Sequence, residues 1–244
     1  MEFCHPGVGA SLGSWLFAIL APMNGQTFLH FFTSYLFPEY CIGCGSESTL
    51  LCSPCLGRVP KAEDPPQTNM FSMFPYHHAV MKQAIGLLKY KNSRSLARVF
   101  GHAAADYLQE LLGEEQLFHA KSVHEPWLIL PIPLAPHRLK TRGYNQAELI
   151  GQALTEHLPD GLVFMDTTVL YRNRETSSQV SIKDRRSRLQ NPRGSFVMRA
   201  GDLVRRRHVI ILDDVITTGA TMREAMRVVQ AAGARRVLGF SIAH

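Results

Sequence analysis

The stretch His208-Val-Ile-Ile-Leu-Asp-Asp-Val-Ile-Thr-Thr-Gly-Ala-Thr221 decides the fold of this chain of 244 residues. Its apolar and mostly β-branched run 209–212 is typical of a strand that is buried on both faces, as in a parallel sheet. Asp213 and Asp214 follow where that strand is expected to end, and the pattern of residues 222–232 after the turn is helical. The stretch therefore predicts a strand–turn–helix unit of an α/β domain.

The turn of this unit has the composition of a phosphate site. It consists of Thr217, Thr218, Gly219, Ala220 and Thr221, and small residues before a helix leave backbone N–H groups and the positive end of the helix dipole exposed. The adjacent acid pair suits the vicinal hydroxyls of a ribose or a magnesium ion. The alternative is a plain turn in which a threonine caps the helix and the acids add stability. The coincidence of acid pair, threonine-rich turn and strand–turn–helix context favours a phosphorylated sugar as ligand.

The composition is that of an ordinary globular protein with a surplus of positive charge. Hydrophobic residues make up 45% and charged residues 19% of the chain, the formal charge is +6 and the isoelectric point is near 9.2. This charge favours phosphorylated ligands or polyanions as partners. The apolar run 12–20 has nine residues, too few for a membrane span, and no Lys or Arg precedes it. Walker-type and dinucleotide-binding glycine motifs do not occur, which argues against an ATPase motor and a dinucleotide enzyme.

Four of the five cysteines are crowded into one short segment. Cys41 and Cys44 form one Cys-x-x-Cys pair and Cys52 and Cys55 form a second, seven residues later, a spacing that can place four thiolates around one zinc ion. Two disulfides or a redox pair are the alternatives. The odd cysteine count without an export signal favours a reducing, cytoplasmic compartment, and a redox motif usually stands alone at a strand-to-helix junction. We therefore predict a structural zinc site, because four thiolates leave no coordination position open for catalysis.

The chain is expected to have four parts. Residues 1–27 are a predicted leader that is disordered or precedes the working start, and residues 28–58 form an apolar helix followed by the zinc module. The proline-containing stretch 59–70 is the predicted linker to the main domain at 71–244.

The main domain is expected to begin with a long helical region at 79–101, which continues to Leu112 after a break at Gly101. Lysines and arginines occupy the rest of the helix surface, outside its apolar side. The usual explanation of such charges is a solvated helix face. Contact between Lys89 and a phosphate is the alternative.

A second strand, Trp127-Leu-Ile-Leu130, ends at the stiff turn Pro131-Ile-Pro133. Arg138, Arg142 and Gln146 follow at intervals of four and share a face wherever the chain is helical. Two guanidinium groups beyond a strand end suit a pyrophosphate, and two solvated arginines are the alternative.

Residues 172–207 carry most of the positive charge, with ten arginines and one lysine against three acids. Within this segment, Arg174, Thr176 and Gln179 belong to a polar run without apolar anchors, which predicts a mobile loop. Such a loop can close over a bound pyrophosphate or follow a nucleic-acid backbone. Aromatic residues are few here, so stacking on bases is less supported than contact with phosphates.

Together these parts resemble the ComF/GntX family of the type I phosphoribosyltransferase superfamily. Members join an N-terminal four-cysteine zinc module to a domain of the kind that binds phosphoribosyl pyrophosphate (PRPP). Beside the four cysteines, the resemblance spans about residues 36–243 and rests on Leu88-Lys-Tyr90, Pro131-x-Pro133, Arg142-Gly-Tyr-Asn-Gln146, Arg174-x-Thr176-x-x-Gln179, Arg186 to Asn191 with Phe196, and Leu212-Asp-Asp-Val-Ile-Thr-Thr-Gly-Ala-Thr221. The combination is highly specific, although each short piece is not.

The resemblance implies a Rossmann-like α/β core with a central parallel sheet and PRPP at the carboxyl ends of its strands. It implies that Asp213 and Asp214 take the ribose hydroxyls, directly or through Mg²⁺, and that residues 217–221 hold the 5′-phosphate. Arg138 would then face the pyrophosphate. In enzymes of the superfamily, pyrophosphate leaves the ribose C1 as a base nitrogen attacks, and catalysis is chiefly electrostatic. No residue of this sequence is identified as catalytic.

Since several members of that family act in natural competence, the resemblance also implies a role in the handling of incoming single-stranded DNA during transformation. Two hypotheses follow. The first is a PRPP-binding accessory protein of DNA uptake that contacts single-stranded DNA or a competence helicase. The alternative is an active phosphoribosyltransferase that moves phosphoribose to a nucleobase in nucleotide salvage. The PRPP motif supports binding more firmly than turnover.

Overall fold

The computed structural model describes residues 38–47, 49–63, 69–91, 93–118, 125–173, 194–199 and 201–244, with the side chains of 113–118 excepted. The predicted leader and apolar helix before residue 38, and the predicted loop with Arg174, Thr176 and Gln179, lie outside these residues. The described elements are α1 (Ser53–Leu56), β1 (Met70–Phe74), α2 (Ala79–Tyr90), α3 (Arg94–Phe118), β2 (Trp127–Pro131), α4 (Pro136–Arg142), α5 (Gln146–His157), β3 (Val163–Met165), β4 (Leu170–Arg172), β5 (Phe196–Met198), a 3₁₀ turn (Gly201–Leu203), β6 (His208–Val215), α6 (Ala220–Ala231) and β7 (Arg236–Ala243).

A parallel sheet of five strands forms the centre of the main domain, in the order β1-β7-β6-β2-β3. The middle strand is β6, which pairs with β7 along its length and with β2 through residues 209–212. β4 and β5 form a separate antiparallel pair. The sequence prediction of an α/β fold with a central parallel sheet is confirmed.

Helices cover both faces of this sheet, so β6 is buried on both sides. Ile210 and Leu212 pack into the core beneath α2, α3 and α5. Val209 and Ile211 pack into the opposite core, beneath α6 and the β4–β5 pair. Since successive side chains of a strand point to opposite faces, the two acids that follow must also lie on opposite faces of the sheet.

In the helical region after β1, α2 ends at Tyr90 and α3 runs from Arg94 through Gly101, so the predicted break at Gly101 was wrong. Ser93 marks the new start, because its Oγ accepts a hydrogen bond from the Leu96 N–H in the first turn of α3 (3.2 Å). Gly101 lies inside α3, where a Cβ atom would come within 2.5 Å of the Cβ of Ala153 in α5. The glycine therefore permits close packing of two helices and does not interrupt one.

The central unit also differs in its bounds from the prediction. β6 does not end before Asp213 but continues to Val215, because β7 runs beside it and the ladder extends to a hydrogen bond from Ile216 N–H to the Ala243 carbonyl (2.9 Å). α6 begins at Ala220 and not at Met222. The acids are thus part of a paired strand, and the turn is correspondingly shorter.

The four-cysteine module packs directly on the main domain. Leu51 and Val59 are buried in the same core as α2 and α3. Ser95 Oγ at the start of α3 donates a hydrogen bond to Glu39 Oε1 (3.1 Å). The first residue of the predicted linker is therefore part of the packed structure. None of the helices in the described part of the chain combines the length and the apolar character that crossing a bilayer requires.

Candidate functional site

The acid pair, Asp213 and Asp214, lies at the carboxyl end of the central strand. Asp214 is buried and Asp213 is half-buried. The backbone N–H of Asp214 donates to Oδ1 of Asp213 (2.8 Å), which orients that carboxylate over the end of β6. The pair is therefore held by the sheet and does not stand at a solvent-facing tip. This position is where open α/β sheets bind their ligands.

Lys89, at the end of α2, is the cationic partner of Asp214. Its Nζ lies 3.3 Å from Asp214 Oδ2, and the two side chains are 21% and 11% exposed. The contact lacks the direction of a hydrogen bond, so Oδ2 has no hydrogen-bond partner in the described part of the chain. The Tyr144 hydroxyl donates to the Leu88 carbonyl and fixes the end of α2 over the site. From the sequence, two interpretations of Lys89 were open, a solvated charge on a helix face or contact with a phosphate. In the structure Lys89 pairs with a carboxylate.

The other acid has an unusual protonation equilibrium. Burial first, and then the negative charge of Asp214, raise the pKa of Asp213 to about 8, against the opposing effects of the Asp214 N–H and of Lys89. At neutral pH the free protein therefore keeps a proton on the pair. A cation bound between the two carboxylates would displace that proton.

The acid pair fits a magnesium ion. Mg²⁺ prefers carboxylate oxygens and binds through one or two of them while keeping other ligands from water or a substrate phosphate. Oδ2 of Asp214 is buried, and besides the ammonium of Lys89 at 3.3 Å it has no hydrogen-bond partner among the described residues, so it can also bind a metal cation. Burial and the neighbouring charge of Asp214 raise the pKa of Asp213, which also indicates that two adjacent carboxylates in a partly dry site lack sufficient positive charge.

The turn between β6 and α6, residues 217–219, is the predicted phosphate loop. Thr217 and Thr218 are exposed, whereas Gly219 is buried with a left-handed backbone (φ 71°) and precedes the first residue of α6. The N–H of Ala220 points to Thr218 Oγ1 at 3.4 Å. The first N–H groups of a helix lack intrahelical acceptors and bind phosphate readily. The loop and the start of α6 are thus suited to a phosphate monoester.

Arg223 spans this phosphate loop, and the sequence analysis did not single it out. Its Nη2 donates to the Thr218 carbonyl (2.7 Å). A Cβ at position 219 would lie 2.8 Å from Arg223 Nη1 and would displace this guanidinium, while the positive backbone angle itself favours glycine. The signal in the sequence was an arginine one helical turn after the glycine.

The two arginines predicted to face a pyrophosphate, Arg138 and Arg142, lie four residues apart on α4, and Gln146 lies beyond the end of this helix. α4 ends at Arg142, because Gly143 takes a left-handed conformation (φ 79°), and Gln146 starts the next helix. Arg142 Nη1 donates to Gln146 Oε1 (2.9 Å), and its guanidinium lies 5.6 Å from the centre of the Tyr90 ring. Arg142 therefore joins α4, α5 and α2. Arg138 is exposed, on the preceding turn of α4.

Arg172, at the end of β4, is a further cation near the acid pair that the sequence analysis missed. Burial lowers its pKa, the nearby Arg138 lowers it further, and Asp213 raises it. Arg172 thus lies within electrostatic range of both Arg138 and the half-buried acid. Arg172 also lies over the Phe196 ring, 5.3 Å from its centre. In the sequence, the one feature that distinguishes Arg172 is its position at the start of the basic segment 172–207.

The ends of the segment that carries Arg174, Thr176 and Gln179 are held in place beside α6. Asn173 N–H donates to the Ser195 carbonyl (2.8 Å), and Gly194 N–H donates to Oε1 of the buried Glu224 in α6 (2.7 Å). The segment between these ends is outside the described residues. Its predicted role at the pyrophosphate stays a prediction.

The four cysteines predicted to bind zinc form one cluster, with all Sγ atoms within 4.8 Å of one another. The Sγ of Cys52 lies 3.5 Å from that of Cys41 and 3.8 Å from that of Cys44. Tetrahedral zinc–sulfur bonds of about 2.3 Å separate the sulfur atoms by roughly 3.8 Å, whereas a disulfide requires about 2.05 Å. The described cysteines are not joined by disulfides, and the four sulfur atoms are close enough together to hold one metal ion.

The backbone of this cluster favours a thiolate at Cys41. Burial of Cys41 opposes ionisation, but N–H groups that include those of Cys52 and Gly43, each 3.4 Å from its Sγ, lower its pKa to about 6. Gly43 has no room for a side chain, since a Cβ would lie 2.8 Å from Cys55 Sγ. N–H groups around sulfur and a glycine in the knuckle are the arrangement that a four-thiolate site needs.

Comparison with known proteins yields matches over both parts of the chain. A family model described as phosphoribosyl transferase domain matches residues 144–240. Competence protein F of Haemophilus influenzae is 31% identical over 213 residues, which cover 84% of each chain. DNA utilization protein YhgH of Escherichia coli O157:H7 is 30% identical over 205 residues, covering 81% of this chain and 80% of that protein. Competence protein ComFC of Streptococcus pneumoniae is 28% identical over 171 residues, covering 70% and 66%. The segment that the family model matches contains the acid pair and the phosphate loop.

Proposed function

Since this chain belongs to the ComF family of the phosphoribosyltransferase superfamily, we propose that it binds PRPP with Mg²⁺ and acts in DNA uptake during natural competence. We place this role in the cytoplasm, with single-stranded DNA and a competence helicase as partners. One observation carries the PRPP site. The acid pair, the phosphate loop and several cations converge at the carboxyl edge of the sheet, and each group suits one part of PRPP.

The residues would divide the ligand among them as follows. Asp213 and Asp214 hold the ribose hydroxyls, directly or through Mg²⁺, which would supply the positive charge that the buried carboxylates lack. Residues 217–221 hold the 5′-phosphate with the N–H groups at the start of α6. Arg138 and Arg172 face the pyrophosphate, because Arg172 lies within electrostatic range of both Asp213 and Arg138 and guanidinium groups bind phosphates in pairs of hydrogen bonds.

The role in DNA uptake is supported by the names of the relatives, two of which are called competence proteins and one a DNA utilization protein. The positive charge of the chain, +6 overall, would favour a polyanionic partner. We also propose a structural zinc ion in the four-cysteine cluster, because the Sγ distances match tetrahedral coordination.

A second candidate function is transfer of phosphoribose to a nucleobase. The observation that favours it is Tyr90, which is 78% exposed and directly follows Lys89, the cationic partner of Asp214. An exposed aromatic ring beside a sugar-phosphate site offers a stacking surface for a base. Arg138 and Arg172 would stabilise the charge of the departing pyrophosphate.

Titration calorimetry with PRPP and Mg²⁺ tests the proposal, with release of pyrophosphate measured in the presence of each free nucleobase. Binding without pyrophosphate release supports the accessory role. Binding with release in the presence of one nucleobase supports the enzyme and identifies its acceptor. Absence of PRPP binding by protein that retains its fold and its zinc would refute both.

A further inference from the structure

A second charged cavity lies at the opposite edge of the sheet from the PRPP site. It has a volume of about 820 Å³ and is open to solvent at the amino ends of β6 and β7. We call it the arginine pocket. Its lining residues are charged or glycine and include four arginines, namely Arg205, Arg206, Arg207 and Arg235.

The arginines of this pocket keep their charge available to a ligand. Arg205, Arg206 and Arg235 are exposed, and Arg207 is half-buried. Two acids, Asp202 and Glu125, also line the pocket, but none of the four arginines lies within ion-pair distance of a carboxylate in the described part of the chain. The net charge of the lining is therefore positive, and no carboxylate among the described residues neutralises its guanidinium groups.

The strand geometry separates this pocket from the PRPP site. Arg207 directly precedes β6, and Asp213 lies six residues later on the same strand. At roughly 3.3 Å per residue the two positions are about 20 Å apart. Arg235 likewise precedes β7, whose first residue Arg236 pairs with His208. No ligand as small as PRPP can use both edges, so these arginines need another explanation than pyrophosphate binding.

The backbone at Arg206 points to a function of the pocket. Arg206 is the one residue other than glycine with a positive φ in the described chain, at 61°, a conformation that disfavours a side chain with a Cβ. Its N–H donates to the Gly233 carbonyl (2.8 Å), and Arg235 N–H donates to the Arg207 carbonyl (2.8 Å). These bonds tie the two arginine-bearing turns together. A strained arginine where glycine would be easier indicates that the side chain itself is needed.

The lining indicates the chemistry of the ligand. Guanidinium groups bind phosphate oxygens in pairs of hydrogen bonds, and several of them around one cavity suit several phosphates. The described lining contains no apolar or aromatic residue, which disfavours insertion into a lipid surface and favours contact with phosphates over base stacking. The expected ligand is therefore a chain of phosphates that is recognised through its backbone, independently of sequence.

We propose that the arginine pocket binds the phosphodiester backbone of single-stranded DNA at the edge of the sheet opposite to PRPP. This inference rests on the proposed role in DNA uptake and adds the surface that performs it. It is independent of the PRPP site, and an oligonucleotide and PRPP can occupy the protein together.

The test uses the full chain and a fluorescently labelled oligothymidylate, with binding followed by anisotropy over a series of salt concentrations. The variant Arg205→Ala/Arg206→Gly/Arg235→Ala removes three charges from exposed positions and places glycine at the strained one. We expect its affinity for the oligonucleotide to fall at least tenfold. The slope of log affinity against log salt should decrease by about 2, at roughly 0.7 per phosphate contact on a single strand.

The control variant Lys82→Ala/Arg94→Ala/Arg98→Ala removes the same charge from exposed positions of α2 and α3. It should lose less than threefold of the affinity. Equal losses in both variants would show a general charge effect and overturn the proposal. A pocket variant that binds the oligonucleotide like the wild type would also overturn the proposal. The same holds if the variant loses binding only to vesicles that contain phosphatidylserine and keeps its affinity for the oligonucleotide.

Titration of the pocket variant with PRPP and Mg²⁺ separates this inference from the proposed function. Unchanged PRPP affinity together with lost oligonucleotide binding supports both. A wild-type protein that binds PRPP but not the oligonucleotide refutes the pocket and leaves the PRPP site intact. The single variant Arg206→Gly is expected to fold at least as well as the wild type and to bind the oligonucleotide more weakly, and full affinity in this variant would also count against the proposal.

Discussion

Replacing Asp213 by asparagine is expected to stabilise the free protein and to remove its affinity for PRPP. Burial and the negative charge of Asp214 raise the pKa of Asp213 from its usual 3.8 to about 8. In the wild type, the Asp214 N–H donates to Oδ1 of Asp213 at 2.8 Å. Asparagine keeps this Oδ1 acceptor and carries no charge. The change therefore removes an ionisable group while the shape of the site stays nearly the same.

The direction of the effect follows from proton linkage. The unfolded chain releases this proton near pH 3.8, whereas the folded chain keeps it up to about pH 8. Stability therefore falls as the pH rises through this window. The shift of about 4 pKa units sets a ceiling of about 6 kcal/mol, at about 1.4 kcal/mol per unit. Relaxation of the site and entry of water reduce such a penalty, so we expect Asp213→Asn to gain about 1–3 kcal/mol above pH 8 and almost nothing near pH 4.

Urea unfolding of both proteins at the two ends of this window measures the difference. Asp202→Asn removes an exposed acid at the opposite edge of the sheet and serves as the control, with no change expected beyond about 0.5 kcal/mol at either pH. A gain for Asp213→Asn that does not depend on pH would refute the linkage argument. In the same variant, affinity for PRPP with Mg²⁺ should fall at least tenfold, and wild-type affinity would refute the role of the acid.

Three further changes test the remaining parts of the site. Lys89→Met leaves its carboxylate partner uncompensated in a largely buried position, so the free protein should lose about 1–3 kcal/mol, and Mg²⁺ should raise its melting temperature more than that of the wild type. Gly219→Ala and Gly233→Ala each place a Cβ at a positive φ, 71° and 94°, and each should cost about 1 kcal/mol on urea unfolding. Of these two, Gly219→Ala alone should weaken PRPP binding in calorimetry, since the other glycine lies at the opposite edge. Cys41→Ser should lose the zinc measured by elemental analysis and lower the melting temperature, whereas Cys4→Ser, outside the cluster, should keep full occupancy.

The strand, the acid pair and the phosphate loop were predictable because one continuous stretch carries them. Buried parallel strands give an uninterrupted apolar run, and a turn that must present N–H groups needs glycine. The cysteine cluster was predictable for the same reason, since its ligands come in two local pairs. The role of Gly101 could not be predicted from such a local pattern. Glycine is required there by close contact with Ala153, which lies on another helix.

The partners of the acid pair were harder to predict because they come from distant segments. Lys89 and Arg172 approach it from opposite faces of the sheet, from α2 and from β4. Neither has a sequence spacing that relates it to β6. Arg142 illustrates the opposite error, because its regular spacing to Gln146 predicted a shared helix face, and the structure instead joins the two across a helix end. Spacing predicts contacts within an element, and the fold decides contacts between elements.

The two edges of the sheet are expected to bind their ligands independently. β6 connects them, with Arg207 before its start and the acid pair at its end, but this strand is buried on both faces and paired on both sides. Coupling between sites requires an element with two arrangements of similar energy, and a central strand packed in this way has one. Saturating PRPP should therefore change the affinity for an oligonucleotide by less than about twofold, or about 0.4 kcal/mol. A larger change in the anisotropy titration would mean that binding at the carboxyl edge moves more than the phosphate loop, and that α6, which runs from that loop back towards Gly233 of the arginine pocket, shifts as a unit.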